Sequence, residues 1–278
     1  MRLAESPRGA SSQVGFGDLM HRLILAFSTL LMAGTWSAAA PADVVRLRAD
    51  PWCPFNCQPG AAMPGYGVEI ATAALAAAGH EVDYAIMPWA RTLQETQRGR
   101  VDGALAVSEP EADPLGLILG PLMGYAQACF FVAKDSAWRF TGFDSLKTQT
   151  LGIILGYGFG DQRLADYVEA NRADPSRIRV IGGDAAVETN IDLLVKGRVT
   201  AIVDNGDVIR YDIQHSGLGA KIAEAGCLDS RTRLYIGFSP ANANSATYAA
   251  ALDVGVKRLR ATGALKRILA RYGLKDWQ

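Results

Sequence analysis

The sequence has no apolar run long enough to cross a bilayer, which takes roughly 20 residues. Its most apolar stretch, 23–34, falls well short of that. Histidine is scarce, at three in 278 residues. His80 and His215, the two beyond the N-terminal segment, lie far in sequence from any cysteine pair, so no zinc-ligand spacing emerges. Neither sign of charge is in excess: 28 Lys and Arg face 28 Asp and Glu. No basic run interleaves with aromatics, which excludes nucleic acid as a partner class. What remains is 49% hydrophobic and 20% charged, the balance of a soluble globular chain. Its length suits two modest domains rather than one.

The N-terminus reads as a targeting segment. In "MHRLILAFSTLLMAGTWSAAAPADVV" a short basic start (His21, Arg22) precedes apolar residues and then small ones. Ala40-Pro41-Ala42 fits a small-x-small cleavage pattern, with Asp43 as first mature residue. Residues 1–19 do not resemble a signal n-region, which makes Met20 an alternative start. The expectation is export: 1–42 as signal peptide, the mature protein in the periplasm, and no lipid anchor, because no cysteine stands at the cut.

Export sets the reading of the four cysteines, all of which follow residue 42. In "DPWCPFNCQPG" three residues separate Cys53 from Cys57, one too many for a redox C-x-x-C. An oxidising compartment favours disulfides. Cys53–Cys57 and Cys129–Cys227 are therefore the expected pairs, with free thiols or a metal as the alternatives for the first.

From residue 44 onward the pattern is β-α-β-α-β. Val45, Leu47 and Ala49 alternate with Arg46, Arg48 and Asp50 as a half-exposed strand. "GYGVEIATAALAAAGHE" is a helix closed by Gly79. Val82, Tyr84 and Ile86 form a second strand, "PWARTLQETQRG" a second helix, and "VDGALAVS" a buried strand. The same order repeats from "TLGIILG" to "VTAIVDNG". "QRGRVDGALAVS" (97–108) and "VKGRVTAIVDNG" (195–206) nearly superimpose, an echo of two similar lobes. The expected fold class is α/β with two doubly wound sheets. Lobe 1 is 43–127 plus 239–278 and lobe 2 is 128–238, joined by two crossing strands with hinges near Ala126–Cys129 and Phe238–Ser239.

Ligands of open parallel sheets bind beyond the carboxyl ends of the strands, so two facing lobes create one cleft. The strand ends supply Trp52, then Trp89 and Arg91, then Ser108 and Glu109; lobe 2 supplies Tyr157 and Phe159, then Asp204 and Asn205. Tyr66 adds an aromatic at a helix start. Such a set suits a small polar or zwitterionic solute. Arg91 is the candidate carboxylate anchor, against pairing with Glu95 at i+4. Trp52, Tyr66 and Trp89 are the candidate aromatic wall.

"GYGVEIATAALAAAG", "MPWARTLQETQRGRVDGALAVS", "CFFVAK", "SLKTQTLGIILGYGFGD" and "LRATGALKRILARYG" together resemble periplasmic solute-binding proteins of the polar amino acid ABC-transport type, across essentially all of 43–278. The resemblance implies a type II two-lobe, Venus-flytrap architecture that closes on its ligand and presents the closed form to an ABC-transporter membrane permease. It also implies a monomer. One departure stands out: "AVSEPEADPLG" keeps Ser108 but lacks the arginine that clamps an α-carboxylate in amino-acid binders of this type. The lobe-2 aspartate that takes the amino group matches Asp204 or Asn205.

"GYGFGD" (156–161) imitates a dinucleotide loop, but position 161 is Asp where the third glycine belongs. No cofactor is expected, and no catalytic set is assembled. Two other readings stay open. One is an enzyme on the same fold, dehydratase-like on a small cyclic acid, which needs a buried acid with a raised pKa. The other is a ligand-sensing partner of a membrane receptor, which the lack of an output segment disfavours.

Overall fold

The structure, a computed structural model, describes Met1 and residues 43–278. The expected signal peptide, 1–42, thus lies outside the described residues save for Met1. Residues 43–278 fall within one compact unit, built on two sheets. Among the described residues no helix is long and apolar enough to cross a membrane.

In chain order the elements are β1 (Val44–Ala49), α1 (Tyr66–Ala76), β2 (Glu81–Ile86), α2 (Trp89–Gln97), β3 (Gly103–Val107), α3 (Glu109–Ala112), β4 (Ile118–Leu119), β5 (Gly124–Ala126) and β6 (Ala128–Ala133). They continue with β7 (Leu151–Ile154), α4 (Gln162–Asn171), β8 (Ile178–Ile181), α5 (Ala186–Val195), β9 (Ala201–Asn205), α6 (Gly206–Ser216), β10 (Ile222–Cys227), β11 (Thr232–Phe238), α7 (Ser245–Ala261) and α8 (Ala264–Arg271). The first sheet runs β2-β1-β3-β11-β4, with β5 also on β11; the second runs β10-β6-β9-β7-β8.

The sheets correspond strand for strand. β2-β1-β3 are parallel and capped by antiparallel β11; β8-β7-β9 are parallel and capped by antiparallel β6. The echoed segments explain the likeness. Gly99 and Gly197 both end a helix with positive φ, 73° and 66°, where a side chain would be strained. Val101 and Val199 are then buried, and β3 and β9 follow at the same offset. Both strands are buried along their whole length, as central strands covered on both faces must be.

The chain leaves the first sheet through β5, passes Gln127 and enters the second in β6; it returns between β10 and β11. β11 hydrogen-bonds to β3, β4 and β5, so it belongs to the first lobe. The expected assignment of 128–238 to lobe 2 and of a hinge at Phe238–Ser239 is therefore corrected: the return crossing is 228–231. The error arose because β11 and β6 look alike as apolar strands, and only pairing tells which sheet each completes. The crossings are tied together where they meet. The Gln127 side-chain amide donates to the Leu228 carbonyl (2.7 Å), and the Leu228 N–H to the Ala128 carbonyl (2.9 Å). Cys129 and Cys227 sit opposite each other in the β6–β10 ladder and are disulfide-bonded.

The C-terminal helices return to the first lobe, where α7 packs on α1 with Gly255 against Ala74. His80, just beyond α1, is buried edge-on against Tyr248.

Candidate functional site

The carboxyl ends of β1, β3, β7 and β9 converge on a cavity partly open to solvent. The first lobe contributes Asp50, Trp52, Trp89, Ala106, Ser108 and Glu111; the second contributes Tyr157, Gly158, Phe159, Asp204 and Asn205. Ala126, Ala128, Thr232 and Leu234 come from the crossing strands and their continuation.

The loop after β1 is a closed clip. Cys53 and Cys57 are disulfide-bonded, and Trp52 N–H donates to the Asn56 carbonyl at 2.6 Å. The carbonyls of Pro54 and Phe55 accept from the N–H groups of Tyr66 and Gly67, two of the donors a helix start leaves unpaired. The clip is thereby docked on α1, and Phe55 packs on Tyr66 with ring centroids 4.7 Å apart. Trp52 projects from it into the cavity and donates its indole N–H to Asp204 Oδ1 across the lobes, at 2.9 Å.

Two further bonds cross the cleft. Tyr157 donates its hydroxyl to Asp50 Oδ2 (2.5 Å), and the Gly158 N–H donates to Glu111 Oε1 (2.9 Å). Tyr157 stands edge-on between the two indoles, with centroids 6.2 Å from Trp52 and 6.3 Å from Trp89. Glu111 is saturated: Oε1 also accepts from the Trp89 indole (3.1 Å), and Oε2 accepts from both the N–H and the hydroxyl of Ser108 (2.9 and 2.6 Å). Asp204 is not. Its Oδ1 also takes the Asn205 N–H at 2.6 Å, while Oδ2 is buried with no hydrogen-bond partner.

Three carboxyl groups thus share a buried space that, among the described residues, no lysine, arginine or histidine lines. Burial pushes Asp50 up to about 7, helped by the neighbouring charges of Asp204 and Glu111 and opposed by the Tyr157 hydrogen bond. Burial likewise raises Asp204 to about 7 against the hydrogen bond from Trp52. It also raises Glu111, despite that residue's four donors. The Tyr157 hydroxyl is pushed well above its ordinary value by burial and by Asp50. Removal of the charged form from water is the common cause.

Of the residues expected from sequence, Trp52, Trp89, Ser108, Tyr157, Phe159, Asp204 and Asn205 line the cavity. Asp204 presents its carboxyl there, whereas the Asn205 side chain caps α6, accepting from the Asp207 N–H at 3.2 Å. Three expectations are corrected. Arg91 is exposed and does not line the cavity: Trp89, two residues earlier on α2, turns inward and leaves Arg91 on the outer face. Nor does Arg91 pair with Glu95, which binds Arg98 and Arg100 instead. Tyr66 is buried among Phe55, Tyr272 and Trp277 and lines a separate cavity with Asp207 and Arg231. Glu109 faces outward, accepting from the Tyr235 hydroxyl and pairing with Arg233.

Asp50, Glu111, Ala106 and Thr232 were missed. Asp50 directly follows β1 and so met the strand-end rule, but it was absorbed into the exposed face of an alternating pattern. Glu111 carried a signal in the Ser-x-x-Glu spacing of a capping box, which Ser108 and Glu111 form. Ala106 has a φ of 64°, at the register shift between β3 and β11. Neither it nor Thr232 carried a local signal.

The profile of bacterial extracellular solute-binding proteins, family 3, matches residues 45–275. No curated protein matches the chain. Among solved structures the chain is similar to a histidine kinase sensor domain with similarity to periplasmic binding proteins, at 18% identity and TM-score 0.68, covering 83% of this chain and 95% of that one. It is similar to AbpA from Streptococcus pneumoniae, an amino acid ABC transporter substrate-binding protein bound to L-arginine (16%, TM-score 0.66, 83% and 94%). A third is ArtJ from Geobacillus stearothermophilus, an arginine-, lysine-, histidine-binding protein (16%, TM-score 0.67, 84% and 97%).

Proposed function

Since the chain belongs to the bacterial extracellular solute-binding proteins of family 3, we propose that it captures a small polar solute between its lobes in the periplasm and delivers it to an ABC-transporter permease. The observation that carries this reading is the set of three hydrogen bonds across the cavity, Trp52 to Asp204, Tyr157 to Asp50 and Gly158 to Glu111. Each joins one lobe to the other at the point where a solute is enclosed. The amino-acid ligands of AbpA and ArtJ support the same reading.

Binding shifts an open–closed equilibrium only as far as the solute interacts differently with the two forms. A solute touching Trp52 on one side and Asp204 on the other has that property, because opening separates its partners. The permease then selects the closed form.

The test is a metabolite panel read by thermal melting, small-angle scattering and product analysis. A cognate solute should raise the melting midpoint by mass action, shrink the radius of gyration and remain chemically intact. Turnover of the solute would overturn the reading in favour of an enzyme.

A further inference from the structure

We infer that the cleft selects a small organic cation bearing N–H donors and no carboxylate, an amine or guanidine whose charge is met by Asp204 and Asp50. The inference rests on the reading of the cleft as the solute site and names the class of solute.

Asp204 Oδ2 is the leading observation. It is buried, belongs to a residue only 4% exposed, and has no donor, although Oδ1 of the same carboxyl takes two. A buried acceptor left without a partner destabilises the fold, the more so if it is charged. An N–H of the solute supplies what the protein does not. Glu111, by contrast, has all its capacity filled by Ser108, Trp89 and Gly158, so it shapes the wall rather than holding the solute.

The charge balance of the cavity points the same way. Among the described residues no basic side chain lines it. Arg233 pairs with Glu109, and Arg231 lies over the Tyr125 ring, while Arg91 is exposed. A solute carboxylate here meets two buried carboxyl groups and no cation, which charges it a full desolvation penalty. A protonated nitrogen instead gains from both acids and from the aromatic lining of Trp52, Trp89 and Tyr157, which suits a cation better than an anion. Of the hydroxyl donors lining it, that of Tyr157 is spent on Asp50 and that of Ser108 on Glu111.

The experiment is calorimetry and thermal melting at pH 8 on the full-length mature protein, with matched probes. Agmatine and putrescine are cations without a carboxylate; arginine and ornithine are their carboxylated parents; glutamate and glucose stand for anionic and neutral solutes. The decarboxylated probes should bind at least roughly 100-fold tighter than their parents. Asp204→Asn, which keeps the shape and the acceptor for Trp52, should weaken them by roughly 30-fold or more. Tighter binding of arginine, ornithine, glutamate or glucose, with lobe closure, overturns the cation assignment and leaves the solute-binding reading standing. Unchanged cation affinity in a folded Asp204→Asn also overturns it, and should that variant not fold, the wild-type ranking alone decides. If no probe shifts the melt or the heat, the inference fails. If a broad metabolite panel is equally silent, the solute-binding reading fails with it.

Discussion

Glu111 organises the cavity wall while binding nothing outside the protein. One carboxyl group caps the N–H of Ser108, holds its hydroxyl, orients the Trp89 indole and receives the Gly158 N–H from the other lobe. Glu111→Ala strips four donors of their acceptor, three of them within the first lobe. It should lower unfolding free energy by about 2–4 kcal/mol, read as a lower denaturant midpoint, with the Trp89 emission shifted to the red. A midpoint equal to wild type would show that these bonds are replaced by water at no cost. The Ser-x-x-Glu spacing made this residue findable, but a capping box is a local device. That its second oxygen also bridges to a glycine 47 residues on could come only from tertiary structure. Arg91 is the converse case, a chemically apt residue whose helix phase turns it to solvent.

At the scale of elements, the loop 156–161 decides how closely the lobes can meet. Its glycines resemble a phosphate loop in sequence, yet they serve as a flat contact surface. Gly156 lies against Ala90, Gly158 against the Glu111 side chain and Gly160 against Thr232. Gly160 also has a φ of 64°, which an L side chain adopts at a cost of about 1 kcal/mol. Gly160→Ala places a methyl group where the Thr232 side chain now sits, so the penalty falls on closure more than on folding. Solute affinity should drop about tenfold or more, a loss of at least ~1.4 kcal/mol, while the melting midpoint of solute-free protein changes little. Equal affinity would mean that the loop does not meet β11 in the bound state. The two clips act beside this loop. Cys53–Cys57 holds the turn that carries Trp52, and Cys129–Cys227 bridges β6 and β10 over 98 residues of sequence. The second leaves the bend between lobes to the short crossings beyond it and restricts the unfolded chain more, because it closes the longer loop.

For the whole molecule the consequence of three buried acids is a pH-dependent closure. Asp50 and Asp204 titrate near 7 with the lobes together, facing Trp52, Tyr157, Asn205 and Glu111. In water they return to the ordinary range near 4. The closed form therefore holds more protons than the open or unfolded forms between about pH 4 and 7. Its stability is fully present below that window and is withdrawn as pH rises through it, by an amount on the order of a few kcal/mol. Solute-free protein should then show a larger radius of gyration at pH 8 than at pH 5, and an N–H cation should reverse the expansion. A radius independent of pH would place the two carboxyls in solvent.

The amino-acid sequence by itself determined the α/β class, the doubled lobe and the cavity's four aromatics. These follow from periodicity, from turns that need glycine and from the rule that strand ends face the ligand, all of which act over a few residues or between equivalent segments. Tertiary structure alone decided which sheet β11 completes, that Asp50 and Glu111 are buried together, and that among the described residues no arginine lines their cavity. Burial and charge balance are sums over everything nearby in space, and Asp50 meets Tyr157 across 107 positions of chain. No window of sequence contains that neighbourhood, so the sign of the cleft's charge became legible only once the lobes faced each other.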